Sequence, residues 1–108
     1  MAQTDFSYRS DIHAALKRYR AEPHALLIDV RAPREYREGH IPGAVCLPLT
    51  DIEDAEDIAP DKQTPLYLYC LTGSRSRQAA ITLQEMGYEQ AYDIGGVSAY
   101  QGELEQSP

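Results

Sequence analysis

Short apolar runs alternate with helix-forming segments along this chain, and that alternation limits the possible fold more than any other feature. Four runs have the composition of strands: 25–30, 44–47, 66–70 and 89–94. The first and third are almost wholly apolar, which is typical of strands buried on both faces of a sheet. Helix-forming segments lie before the first run, at 10–19, and between later runs, at 33–38 and 76–86. The pattern predicts an α/β fold with a mostly parallel sheet covered by helices on both faces.

Individual residues set the expected ends of these elements. Pro33 suits the first position of a short helix, and Gly39 suits its end. Ser76 is a plausible N-cap for the helix that Gly87 stops. The remaining expectations are a surface helix or loop over the acidic stretch 51–61, a turn at Gly95-Gly96 and a final helix over 97–104.

Length and charge exclude several classes of protein. A chain of 108 residues is expected to form one domain, 1–108, with one core. Seventeen acidic against ten basic residues give a net charge of −7, which disfavours a nucleic-acid partner. No apolar run approaches the roughly 18 residues that a bilayer-spanning helix needs. The first residues, MAQTDFSYRSD, lack the basic start and apolar stretch of a secretion signal, so we expect a cytoplasmic protein without a membrane partner.

The two cysteines, Cys46 and Cys70, occupy different surroundings. Neither their spacing nor the three histidines match a zinc site, so we expect no metal and no structural disulfide. Cys46 lies within an apolar run, which indicates core packing. Cys70 ends the strand 66–70, at the edge where ligands bind in parallel sheets.

The segment from Cys70 to Arg77 has features that favour a thiolate. A following helix offers unpaired amides and the positive end of its dipole, Gly73 allows a tight turn of inward amides, and Arg75 adds positive charge. Lowering the pKa of a thiol by about two units would raise its thiolate share from a few per cent to roughly three-quarters at pH 7. Two interpretations stay open: a reactive Cys70 that a substrate can reach, or an inert buried cysteine at a strand end.

Loop length separates two kinds of chemistry. Four residues, Leu71, Thr72, Gly73 and Ser74, lie between Cys70 and Arg75. Phosphatase-type loops have about five residues there and so hold a tetrahedral phosphate. The shorter loop suits a terminal sulfur better, although a small phosphatase or arsenate reductase remains an alternative.

Three ordered motifs within residues 26–102 resemble the rhodanese family of thiosulfate sulfurtransferases. The first is formed by 27–31, Glu35-Tyr36 and 39–44. The second is the loop 70–76, and the third is 95–100, Gly-Gly-Val-Ser-Ala-Tyr. The resemblance implies a rhodanese-like sheet of about five strands with helices on both faces.

The resemblance also implies a mechanism. Cys70 would take a sulfane sulfur from thiosulfate or a persulfide donor and pass it to cyanide or a thiol acceptor, a protein acceptor included, without a cofactor. The amides of the loop would bind the persulfide; these belong to Leu71, Thr72, Gly73, Ser74 and Arg75. A rhodanese-fold sulfur carrier or regulatory module without turnover is the alternative.

Residues beside the loop have two interpretations each. Asp29 and Arg31 either orient the loop or form a structural ion pair in which Glu35 or Glu38 takes part. Arg75 either contacts the oxygens of a donor or neutralises its neighbours. His40 is either a general base or, as we expect, a structural hydrogen-bonding residue, and Ser76 adjoins the loop.

Overall fold

The structure is a computed structural model that describes residues 11–107. In chain order its helices and strands are α1 (Ile12–Ala21), β1 (Leu26–Asp29), α2 (Pro33–Glu38), β2 (Val45–Cys46), a 3-10 segment (Leu49–Asp54), α3 (Ala55–Ile58), β3 (Leu66–Cys70), α4 (Ser74–Glu85), β4 (Ala91–Gly96) and a 3-10 turn (Val97–Ala99).

The described strands form one parallel sheet in the order β2-β1-β3-β4. This confirms the predicted α/β fold with a mostly parallel sheet. Four strands lie within residues 11–107, against the approximately five that the family resemblance implies. All four overlap the runs recognised in the sequence, although β4 begins and ends two residues later than expected.

Two faces of the sheet bury two separate clusters of side chains, because successive residues of a strand point in opposite directions. Leu66, Leu68 and Cys70 of β3 lie in the cluster beneath α3 and α4. Tyr67 and Tyr69 lie in the cluster beneath α1. Helices therefore cover both faces, and Cys70 points toward α4.

The start of α4 differs from the sequence-based expectation. The helix begins at Ser74, and its N-cap is Gly73 with φ +116°, a left-handed conformation that favours glycine. The prediction of Ser76 as N-cap was therefore wrong. Ser76 lies in the first helical turn, where its buried hydroxyl bonds to groups inside the fold.

The predicted turn and final helix at the C-terminal end were also wrong. Gly95 and Gly96 continue β4, and only Val97–Ala99 form a single 3-10 turn. Long-range hydrogen bonds position this C-terminal part of the chain. The Ser98 amide donates to the Leu71 carbonyl, and Glu105 forms an antiparallel bridge with His40.

The strand order places a crevice next to Cys70. From β1 the chain moves to β2 on one side, and β3 then lies on the other side of β1. Ligands of parallel sheets bind at such a switch point, beyond the carboxyl ends of the strands. Asp29 ends β1 and Cys70 ends β3, so both predicted site residues border this crevice. Among the described residues, none of the helices has the length and apolar character needed to cross a bilayer.

Candidate active site

Hydrogen-bond donors from the following loop and helix surround the sulfur of Cys70. The Gly73 amide donates to Sγ at 3.0 Å, and the Ser76 hydroxyl lies 3.5 Å from the same atom. Only Leu71, Thr72 and Gly73 separate the end of β3 from the start of α4. The short connection therefore directs the N-terminus of α4 at the sulfur.

These contacts change the acidity of Cys70. Burial raises the pKa of the thiol, but hydrogen bonds from the Ser76 hydroxyl and from the amides of Ser76, Gly73 and Arg75 oppose it. Their combined effect outweighs burial, and the pKa lies below its ordinary value. The hydrogen bonds therefore favour the thiolate of Cys70 relative to an ordinary cysteine.

Cys70 is much less exposed than the reactive interpretation required. Its exposed fraction is 1 %, whereas Leu71 beside it is 45 % exposed. The Gly73 amide lies 3.0 Å from Sγ, and Gly96 of β4 is the sheet neighbour of Cys70. Little of the residue is therefore open to a reagent in this conformation.

The loop approaches β4 so closely that only glycine fits at position 96. A Cβ added to Gly96 would lie 2.2 Å from the Leu71 carbonyl oxygen and 2.5 Å from the Thr72 Cα. The conformation of Gly96 itself is extended, with φ −127°, so the requirement is steric. The hydrogen bond from Ser98 to Leu71, at 3.1 Å, holds the two segments together.

Arg75 forms an ion pair across the crevice. Its Nη1 and Nη2 lie 2.7 and 3.1 Å from the two carboxylate oxygens of Glu35 in α2. This bidentate pair, about one-third exposed on each side, lowers the pKa of Glu35 to about 2, chiefly through the hydrogen bond from Arg75. The geometry thus favours the interpretation in which Arg75 neutralises an acidic neighbour.

Asp29 and Arg31 pair with each other. Arg31 Nη2 lies 2.7 Å from Asp29 Oδ2 and 2.6 Å from the Gly39 carbonyl oxygen, and both side chains are buried. Arg31 pairs with neither Glu35 nor Glu38, which the structural interpretation had named. The pair links β1 to the end of α2. Within residues 11–107, neither side chain of the pair hydrogen-bonds to Cys70.

The remaining candidates have structural surroundings. His40 stacks on Tyr36 at 3.8 Å between ring centroids, and its Nδ1 lies 2.8 Å from the Tyr36 carbonyl oxygen. Cys46 is half-buried, and burial raises its pKa. Within residues 11–107, no three side chains among His, Cys, Asp and Glu are grouped as a metal site requires.

The sequence analysis did not single out Asp93. It is a buried carboxylate of β4 whose Oδ1 accepts the Ser76 hydroxyl at 2.7 Å and the Gly95 amide at 3.0 Å. One acid in an otherwise apolar strand was the available signal, because a buried carboxylate needs partners. Its link to the loop depends on helix packing, which the chain order does not reveal.

The fold and this site define an α/β protein with a cysteine of lowered pKa in a short loop at the end of a parallel strand, where backbone amides donate to the sulfur. A family profile described as "Rhodanese-like domain" matches residues 12–103. The chain belongs to the rhodanese-like domain family, which confirms the resemblance of its three motifs.

Individual relatives agree with this placement. The thiosulfate sulfurtransferase PspE of Escherichia coli is 39 % identical over 71 residues, which cover 65 % of this chain and 68 % of PspE. YqhL of Bacillus subtilis is 42 % identical over 82 residues, which cover 74 % of this chain and 64 % of YqhL. The solved structure "rhodanese with anions from E. coli" has a TM-score of 0.72 at 33 % identity and covers 77 % of this chain and 99 % of that chain.

Proposed function

We propose that this protein is a sulfurtransferase that carries a sulfane sulfur on Cys70 as a persulfide. The observation that supports this proposal most is the Cys70 sulfur at the start of α4, with the Gly73 amide 3.0 Å away and a pKa below the ordinary value. A lower pKa increases the share of thiolate, which is the nucleophilic form of cysteine. The similarity to PspE, a thiosulfate sulfurtransferase, supports the same chemistry.

The reaction has two steps. The Cys70 thiolate attacks the outer sulfur of thiosulfate, the sulfur–sulfur bond of the donor breaks, and sulfite leaves with the electron pair. A thiolate or cyanide acceptor then attacks the terminal sulfur of the Cys70 persulfide, and the Cys70 thiolate is regenerated. Neither step needs a proton from the protein, so the loop amides supply the main stabilisation of negative charge. The binding residues in this proposal are the loop members 71–75.

The burial of Cys70 limits the reagents that take part. Because the residue is 1 % exposed, a donor with a small terminal sulfur suits this site best. Thiosulfate and small persulfides share that property. A tetrahedral phosphoryl group suits a longer loop than the four residues between Cys70 and Arg75 provide.

The same burial also favours a second candidate, a rhodanese-fold sulfur carrier or regulatory module without turnover. In that case the closed loop would keep Cys70 from small donors, and a protein partner would open it. The two candidates differ in whether Cys70 reacts with small sulfur donors when no partner protein is present. The isolated protein is therefore enough to distinguish them.

Intact mass spectrometry tests the proposal directly. The reduced protein, incubated with thiosulfate or glutathione persulfide, is expected to gain about 32 Da for one added sulfur atom. Later addition of cyanide should return the original mass and release thiocyanate. A protein that stays unmodified with both donors would favour the carrier or regulatory module.

Glu35 is expected to control how well an anionic donor binds. Because its pKa is about 2, Glu35 is ionised throughout the neutral pH range and keeps its ion pair with Arg75. The Glu35→Gln variant leaves the guanidinium free to attract thiosulfate, so we expect the KM for thiosulfate to fall by about threefold or more at low salt.

Glu38→Gln is the matched control for this prediction. It removes the same charge from the same helix, but Glu38 pairs with the exposed Arg34 at 3.7 Å. Steady-state kinetics with thiosulfate at several salt concentrations should show the change for Glu35→Gln alone. Equal KM values for the two variants would contradict a role of Glu35 in donor binding.

We further propose that residues 1–108 form a single rhodanese domain in the cytoplasm. The family match over 12–103 supports the domain, and the two free cysteines fit a reducing compartment. Cyanide, thiols and a protein sulfur acceptor are the acceptors that this proposal allows.

A further inference from the structure

The hydroxyl of Ser76 has more acceptors around it than it has protons. Four acceptor atoms lie within reach: Asp93 Oδ1 at 2.7 Å, the Gly73 carbonyl at 3.1 Å, the Gly95 carbonyl at 3.3 Å and Cys70 Sγ at 3.5 Å. A serine hydroxyl donates one hydrogen bond at a time. The contact with Asp93 is the shortest, and the contact with the sulfur is the longest.

One carboxylate oxygen of Asp93 accepts two hydrogen bonds. Ser76 donates to Asp93 Oδ1, and the same oxygen also accepts the Gly95 amide at 3.0 Å. A carboxylate oxygen is a stronger acceptor than a neutral oxygen. All three side chains are buried, so water does not compete.

We propose that Asp93 is a positioning residue that competes with Cys70 for the hydroxyl proton of Ser76 and so limits how readily the thiolate forms. The loop amides then stabilise the Cys70 thiolate at all times. The hydroxyl of Ser76 stabilises it further only when that hydroxyl is not bonded to Asp93. The relevance of this competition to sulfur transfer rests on the proposed function, in which Cys70 is the nucleophile.

The other charged side chains near Cys70 are the same in every variant used to test this proposal. From α4, Arg75 faces the loop and is paired with Glu35 of α2. After β1, Arg31 is paired with Asp29. From β4, Asp93 reaches the first turn of α4 through its contact with Ser76.

Asp93 also has a structural role that the test must separate. Its bond to the Gly95 amide stabilises the irregularity of β4, where the pairing with β3 shifts between Leu68 and Tyr69. A purely structural Asp93 would change stability but leave the acidity of Cys70 unchanged. The acidity of Cys70 is therefore the quantity to measure.

The test is the rate of Cys70 alkylation by iodoacetamide between about pH 5 and 9, followed by peptide mass spectrometry so that Cys46 is scored separately. For Asp93→Asn we expect the midpoint to fall by about half a unit or more, which makes alkylation about threefold faster below the midpoint. For Ser76→Ala we expect a higher midpoint. In the double variant the Ser76 hydroxyl is absent, so removing the Asp93 carboxylate frees no hydrogen bond for Cys70. The pH profile of the double variant should therefore match that of Ser76→Ala.

Two results would overturn the proposal. One is a midpoint in Asp93→Asn that is unchanged or higher than in the wild type. The other is an equal shift by Asp93→Asn with and without Ser76, which would mean that the charge acts directly on the sulfur. Glu89→Gln, an exposed position just before β4, controls for the loss of one negative charge.

Folding and the proposed function are tested separately. If Asp93→Asn does not fold, Asp93→Ser replaces it, because a shorter neutral side chain still offers an acceptor to Gly95. Alkylation needs no sulfur donor. A wild-type protein with the expected alkylation series that forms no persulfide would contradict the proposed function and leave the role of Asp93 intact.

Discussion

The Cys70→Ser variant is expected to transfer sulfur at the uncatalysed rate, a loss of at least about a thousandfold in kcat. Serine fills nearly the same space and can keep the hydrogen bonds from Gly73 and Ser76. However, its hydroxyl does not ionise near neutral pH and forms no persulfide. The variant therefore removes the chemistry and retains the packing. Steady-state release of thiocyanate or sulfite measures the loss, and intact mass should show no added sulfur.

Cys46→Ser is the matched control. Cys46 is half-buried at the end of β2, its Sγ lies 4.0 Å from the Arg31 carbonyl oxygen, and burial raises its pKa. We expect activity close to that of the wild type. If Cys46→Ser instead lost activity and Cys70→Ser retained it, the assignment of the sulfur to Cys70 would be wrong.

The Gly96→Ala variant is expected to lose about a hundredfold in kcat/KM, the second-largest effect. The new methyl group would lie 2.2 Å from the Leu71 carbonyl oxygen and 2.6 Å from its carbonyl carbon, and both atoms belong to the backbone. Rotation of a side chain cannot relieve that overlap, so the loop or β4 must move by roughly an ångström. The amides would then no longer point at Cys70 Sγ.

The same change should lower the free energy of unfolding by about 1–3 kcal/mol, the usual cost of overpacking. Urea denaturation measures that loss, and the pH profile of Cys70 alkylation should move to higher pH because the amide bonds weaken. Gly39→Ala is the control, since a Cβ there meets only the side chain of Leu104, at 3.1 Å. A Gly96→Ala protein with wild-type kinetics would show that the close approach has no part in activity.

The strands could be predicted from the chain because their signals are local. Each of the four apolar runs forms a strand, and Pro33 and Gly87 lie at the start and just after the end of their helices. The first helix extends over Ile12–Ala21 with Asp11 as its N-cap, whose side chain accepts the Ala14 amide at 3.0 Å. Ser10, the expected start, lies outside the described residues.

Errors arose where long-range contacts override local preference. Ser76 has the residue type of an N-cap, but buried acceptors on β4 hold its hydroxyl inside the helix. Gly102 is the weakest helix former in the segment 97–104. Long-range hydrogen bonds from Ser98 to Leu71 and between Glu105 and His40 also hold this part of the chain in a non-helical path. Propensities of a few tenths of a kcal/mol per residue are smaller than such contacts.

The sequence by itself determined the class of fold, the cysteine and the short loop before a helix, because these depend on neighbours along the chain. Tertiary structure alone decided which groups meet that loop. Glu35 reaches Arg75 across 40 positions, Asp93 reaches Ser76 across 17, and Gly96 contacts Leu71 only because β3 and β4 are adjacent. The physical reason is that the acidity and exposure of a buried thiol depend on every group packed around it, and packing brings together residues that are distant in sequence.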